Sequence, residues 1–263
     1  PVDRAGRIDP QDLAAAMRPN TVLVSVIYGQ SEVGTIQPIA ELAAICRQYQ
    51  VYFHTDAVQA AGKMPIDVRA LGIDLLSISS HKLYGPQGTG ALYIRPGLEL
   101  IPLLAGGGQE MGWRSGTQAV PQIAGFGVAA ELASEELEVE NIRLIGLRDR
   151  LFELLSDCPI LIPTGDPLHR LPHHLSFCLQ LPGCLASESI TGKTIVRQLN
   201  LAGIGISSGA ACASGKLTPN PILLAMGYSQ TAAVGGIRIT LGKSTTVADI
   251  DWTAMVLKQI LDR

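Results

Sequence analysis

The stretch "IDLLSISSHKLYGPQGTG", residues 73–90, decides how this chain is read. Its first half is an apolar run of leucine and isoleucine, the pattern of a strand buried in a sheet. Its second half opens on Ser79-Ser80-His81-Lys82 and then turns through glycine and proline, the residues of a tight loop. A lysine ordinarily lies on a solvated face, so Lys82 at the carboxyl end of a buried strand is a candidate for chemistry. Ligands of open α/β sheets sit outside those ends.

Working outward, residues 21–27 (TVLVSVI) form a β-branched, continuously apolar run, expected to be a strand covered on both faces. Residues 51–55, 74–79 and 91–95 read as further strands. A helix is expected from Asp9-Pro10 through Arg18, with proline at its first position. Another is expected over residues 38–48, where Ile39, Leu42, Ala43 and Cys46 form one apolar stripe. Residues 57–71 read as a crossover. This alternation predicts a three-layer α/β domain with a mainly parallel sheet and helices on both faces. Past residue 130 the pattern changes to a long charged helix over 131–155. Short strands follow at 175–181, 203–207 and 237–241, with helices at 191–199, 219–226 and 247–261. A boundary near 136 is therefore expected, giving a large domain over 1–136 and a smaller α+β domain over 137–263.

Bulk properties exclude several functions. The chain has 263 residues, 47% of them hydrophobic, ample for a core. A net charge of −3 with scattered Lys and Arg leaves no basic stripe, so nucleic acid is not expected as a partner. No apolar run reaches the length of a membrane span and no secretory leader is visible. The five cysteines, Cys46, Cys158, Cys178, Cys184 and Cys212, include no C-x-x-C pair, which argues against zinc or a disulfide framework. Reducing cytoplasm is the expected compartment. The chain begins at Pro1 and enters a strand early, so an N-terminal portion is expected to be missing.

Three strand ends carry polar groups: Gln30, Ser31 and Glu32; His54, Asp56 and Gln59; Ser79, Ser80, His81 and Lys82. Singly, each has a plain structural explanation, since an Asp after a strand is more often a helix cap than a catalytic group. Together they suit pyridoxal phosphate, which needs a lysine for its Schiff base and a carboxylate to keep its pyridine nitrogen protonated. Lys82 and Asp56 fit those roles. Burial would lower the lysine pKa and favour the free amine. Ser79 and His81 would hold the phosphate, and Gln59 would reach the phenolic oxygen.

The strings "SEVGTIQPI", "FHTDAVQAAGKMPIDV", "SISSHKLYGPQGTGALYIR", "GGGQEMGWRSGT" and "SSGAACASGKLTPN" resemble the NifS-type cysteine desulfurases, within the fold-type I pyridoxal phosphate enzymes. The resemblance runs from about Val2 to the C-terminus. It implies that Lys82 carries the coenzyme and shuttles the substrate Cα proton, that Asp56 pairs with the pyridinium, and that Gln59 bonds the ring oxygen. Ser79 and His81 are implied for the phosphate, and Ser31 stands where an Asn commonly bonds the ring oxygen. Thr117, in "RSGT", is implied to reach the phosphate in a partner subunit, so a homodimer is expected. Arg238, in "GGIRITLG", is implied as the clamp for the substrate carboxylate. No metal is expected.

Cys212 is the implied nucleophile. It lies among small residues and glycines in "SSGAACASGK", where a mobile loop suits a sulfur carrier and nearby Lys216 would favour the thiolate. Cys46, Cys158, Cys178 and Cys184 read as packing residues. The implied reaction converts L-cysteine to L-alanine and leaves persulfide sulfur on Cys212, for a protein acceptor or iron-sulfur scaffold, or for tRNA thiolation. Two other readings stay open: a selenocysteine lyase or related eliminating enzyme, and a truncated non-catalytic paralogue that binds a sulfur-transfer partner.

Overall fold

The structure is a computed structural model that describes residues 1–180, 190–209 and 218–262. It divides into two compact units, one of residues 13–28 and 38–137, the other of residues 1–12, 29–37 and 138–263. Segments 1–12 and 29–37, expected in the first domain, therefore pack with the later part of the chain. A short helix, α1 (Pro10–Ala16), starts where Asp9 Oδ1 accepts the Gln11 N–H at 2.8 Å.

The unit of residues 13–28 and 38–137 is built on β1 (Leu23–Ile27), α2 (Ile39–Gln48), β2 (Tyr52–Asp56), β3 (Leu75–Ser79), β4 (Gly90–Ile94) and α3 (Val120–Glu135). The strands lie in the order β1-β2-β3-β4, with β1, β2 and β3 parallel and β4 antiparallel to β3. Alternation places Phe53 and Thr55 of β2 inward, and both are buried. Helix α2 lies against β2 through the expected stripe Ile39, Leu42, Ala43 and Cys46, all buried. Ile39 and Leu42 each contribute roughly 1.5–3 kcal/mol by leaving water.

Three details of this region differ from or refine the expectation. Strand β1 is not covered on both faces: it is the edge of the described sheet, Leu23 is 45% exposed and adjoining Val22 is 75% exposed. The crossover between β2 and β3 has turns and no α-helix. Gly62 explains much of this, because its φ of +65° breaks a helix and a Cβ there would run into Leu83. The long helix expected over 131–155 is also interrupted: α3 ends at Glu135 and α4 (Leu137–Leu154) follows.

The other unit adds β5 (Leu161–Pro163), β6 (His174–Leu179), α5 (Gly192–Leu201), β7 (Ser207–Ser208), α6 (Pro221–Ala225), α7 (Gln230–Val234), β8 (Ile237–Thr240) and α8 (Val247–Leu261) to α4. Its sheet has the order β5-β6-β8-β7, with every pair antiparallel. All six residues of β6 are buried. Leu175, Phe177, Ile237 and Ile239 point into a core shared with Leu144, Leu151, Ile195, Leu199 and Leu257. Capping boxes fix the starts of two helices, Thr191 with Thr194 on α5 and Thr246 with Asp249 on α8.

The opposite face of β6 and β8 is polar, and the hairpin of residues 29–36 lies over it. Gly29 and Ile36 bridge across the hairpin, and Gln30 closes the loop by accepting from the N–H groups of Glu32 and Val33. Gly34 has a φ of +78°, and a Cβ there would come within 2.7 Å of His174 Nδ1, so only glycine fits.

Candidate active site

Parallel pairing brings the carboxyl ends of β2 and β3 side by side, with Asp56 in register with Ser77. Period-two alternation then puts His54, Asp56, Ser77 and Ser79 on one face of the sheet. Asp56 is half-buried. Its Oδ1 accepts the Val58 N–H at 2.9 Å, while Oδ2 has no hydrogen-bond partner among the described residues. Ser79 Oγ is hydrogen-bonded to His81 Nδ1 at 2.8 Å.

Residues Ser80–Leu83 form one 3-10 turn, closed by Tyr84 in the left-handed region at φ 65°. Ser80 and Leu83 are buried, and His81 and Lys82 point outward. The expected burial of Lys82 is not found. Its side chain is exposed, because on this turn it projects away from Leu83 and the apolar cluster of Phe126 and Ala129. Among the described residues the Lys82 amine has no ion-pair or hydrogen-bond partner. Ser80 Oγ is buried and has no hydrogen-bond partner among the described residues either.

A polar rung crosses the same face. His54 Nδ1 meets Ser25 Oγ of β1 at 2.7 Å, and Nε2 meets Ser77 Oγ of β3 at 2.9 Å. Burial pushes the imidazole pKa below its ordinary value, against the pull of Asp56. A neutral ring donates at one nitrogen and accepts at the other, and the two serines supply the complementary atoms. Gln59 is half-buried just past Asp56, and Thr117 is exposed in the irregular segment before α3. A cavity of about 600 Å³ lined by Arg47, Arg69, Asp74 and Arg95 lies at the opposite rim, by the amino ends of β2 and β3, so it is not the Lys82 site.

Ser31 and Arg238 belong to the other unit, where they meet. Arg238, half-buried on β8, donates from Nη1 to Ser31 O at 3.0 Å and to Glu32 Oε1 at 2.9 Å. His174 donates from Nε2 to Ser31 O at 2.9 Å, and burial pushes its pKa down to about 3, so it stays neutral. Asn220 Nδ2 donates to Glu32 Oε2 at 3.1 Å while its Oδ1 caps α6. His174 and Asn220 were not singled out from sequence. The only hint was the paired His173-His174 at the head of a strand.

Three cysteines read as packing residues are described. Burial, with Asp74 adding, pushes the Cys46 thiol up to about 11; burial does the same for Cys178, and burial with Asp157 raises Cys158. All three stay protonated near neutral pH. Cys184, Cys212 and Lys216 lie outside the described residues.

Residues 1–252 match the aminotransferase class-V family. The chain belongs to that family. Among relatives of this class-V member, a protein named cysteine desulfurase IscS from Methanosarcina thermophila is 43% identical over the whole chain, which spans 63% of that relative. A solved NifS-like protein superimposes with a TM-score of 0.88 at 35% identity, covering all of this chain and 67% of its own. A solved structure titled SspA in complex with cysteine gives a TM-score of 0.73 at 33% identity, covering 91% of this chain and 64% of its own. The chain thus spans less than two thirds of the length of the curated relative it matches.

Proposed function

We propose that this class-V chain works as a cysteine desulfurase, converting L-cysteine to L-alanine and moving the sulfur to Cys212 as a persulfide. The observation that carries the reading is the placement of a carboxylate and an amine at neighbouring strand ends: among the described residues, one oxygen of Asp56 and the amine of Lys82 are unengaged. The donor set fits pyridoxal phosphate. Asp56 Oδ2 would hold the protonated pyridine nitrogen, Lys82 the aldehyde carbon, Ser79 and His81 the phosphate, and Gln59 and Ser31 the ring oxygen. When bound, that group supplies an electron sink for the substrate Cα.

The chain's own residues supply the rest. The Lys82 amine takes the proton from Cα and returns it, and its exposure lets the substrate reach it. Arg238 anchors the substrate carboxylate. The Cys212 thiolate attacks the substrate sulfur: the new S–S bond forms as the C–S bond breaks, and carbon keeps the pair and gains a proton to give alanine. That one relative was solved with cysteine supports the substrate.

The segment around Thr117 exposes Ile101, Leu103 and Met111, each more than 90% accessible, which supports the proposal of a homodimer joined there. A protein acceptor or iron-sulfur scaffold would take the sulfur. No described helix is long and apolar enough to cross a membrane; the cytoplasmic setting is proposed from the cysteine pattern.

Lys82→Ala tests the proposal. Alanine formation from cysteine is expected to fall by at least about a thousandfold, since the covalent anchor and proton carrier go together. The visible absorption that the parent is expected to gain with pyridoxal phosphate should be lost, with the melting temperature unchanged. A Lys82→Ala protein that still turned over cysteine at a tenth of the parental rate would end the proposal.

A further inference from the structure

We infer that Glu32 is a positioning residue for Arg238, setting the guanidinium so that its free edge meets the substrate carboxylate. This rests on the reading of Arg238 as the carboxylate clamp. Arginine carries five N–H donors in a rigid fork. Two acceptors, Ser31 O and Glu32 Oε1, both take their bonds from Nη1. Among the described residues Nε and Nη2 have no hydrogen-bond partner, so the other edge of the fork is open for a bidentate carboxylate. A guanidinium held by one nitrogen loses little freedom on meeting such a ligand.

Glu32 is itself fixed from two sides. Its second oxygen accepts from Asn220 Nδ2, and the Asn220 Oδ1 accepts from Ile222 N at 2.8 Å and Leu223 N at 3.4 Å. Those bonds fix which end of the amide faces Glu32, because a flipped amide would lose the cap and face the carboxylate with an oxygen. From below, His174 holds Ser31 O, and Ser176 Oγ donates to Val33 O at 3.3 Å. Side chains of β6 and β8 thus hold the hairpin, and the hairpin holds the arginine. The Arg238–Glu32 pair is only about a quarter exposed on each side, so water does not replace a missing partner freely.

The test measures binding of carbon-13 L-alanine, the substrate without its sulfur, to the coenzyme-loaded full chain by NMR titration. Parallel measurements of kcat and KM for L-cysteine accompany it. Arg238→Ala is expected to weaken L-alanine at least about thirtyfold, and Glu32→Ala about tenfold, with KM rising and kcat falling less than about threefold. In the double variant, Glu32→Ala should add less than about twofold to the loss from Arg238→Ala, the mark of a residue acting through another. Glu32→Gln, which still accepts from Nη1, should weaken binding about threefold and carries the test if Glu32→Ala fails to fold. Unchanged binding in the Glu32 variants, or independent additive losses, would overturn the inference and leave Arg238 as the clamp. Unchanged binding in Arg238→Ala, or a parent chain that binds no L-alanine, would instead sink the reading beneath it.

Discussion

The two sheets divide the work of stability and chemistry differently. In the antiparallel sheet, β6 is buried along its whole length, with an apolar core on one face and a hydrogen-bonded hairpin on the other. In the parallel sheet, α2 covers one face, while the other presents Ser25, His54, Asp56, Ser77 and Ser79 and ends at Lys82. The first behaves as a closed core, the second as a platform. Polar groups are affordable on the platform because neighbouring strands or a ligand satisfy them. In the closed core most are held by fixed partners, as His174 Nε2 and Ser176 Oγ are, while His174 Nδ1 has none among the described residues.

The contrast is broken most sharply by truncating each sheet. Phe177 is 2% exposed and packs against the tilted ring of Phe152, centroids 5.3 Å apart, so Phe177→Ala should cost about 3–5 kcal/mol in urea denaturation. Leu92 on β4 is 49% exposed, and Leu92→Ala should change stability by less than about 0.5 kcal/mol. Equal losses at the two positions would remove the distinction.

A smaller effect separates the units by pH. Unfolded His174 takes up a proton near its ordinary value of 6.5, whereas the folded residue resists until about 3. The unfolded state therefore binds more protons below 6.5, and stability, fully present above that pH, falls as pH drops toward 3. The slope is up to about 1.4 kcal/mol per pH unit from this group. His174→Gln, which keeps a donor for Ser31 O, should flatten the melting-temperature profile between pH 6.5 and 4.5. A profile unchanged by the substitution would assign the acid sensitivity elsewhere.

A local effect sharpens the picture of the platform. Ser77→Ala removes one partner of the His54 imidazole and should destabilise by about 1 kcal/mol. The histidine proton resonances should shift as the ring loses a bond at Nε2. An unmoved resonance would deny the three-strand rung.

Much of this architecture was legible because local pattern decided it. The buried stripe of α2 follows from its spacing, and β2 and β3 fall within about two residues of their expected positions, as apolar runs bounded by polar residues do. TVLVSVI has the composition of a central strand, whereas β1 has one partner among the described strands, and composition does not say how many neighbours a strand has. Lys82 was expected to be shielded by the strand before it, but one 3-10 turn suffices to swing it out. The site partners hardest to foresee are separated widely in sequence: Glu32 and Arg238 by 206 positions, Glu32 and Asn220 by 188. No periodicity encodes such pairs. Only the strand pairing and the hairpin bring them together.

Strand β1 carries one further consequence. LVSVI has strong β-propensity and neither charge nor proline, and among the described strands only β2 pairs with it. Its outer row of amide and carbonyl groups is a template for a foreign strand, the situation in which chains stack edge to edge into insoluble aggregates. Wherever that row is left unpaired, Val24→Lys would act as a gatekeeper against such stacking.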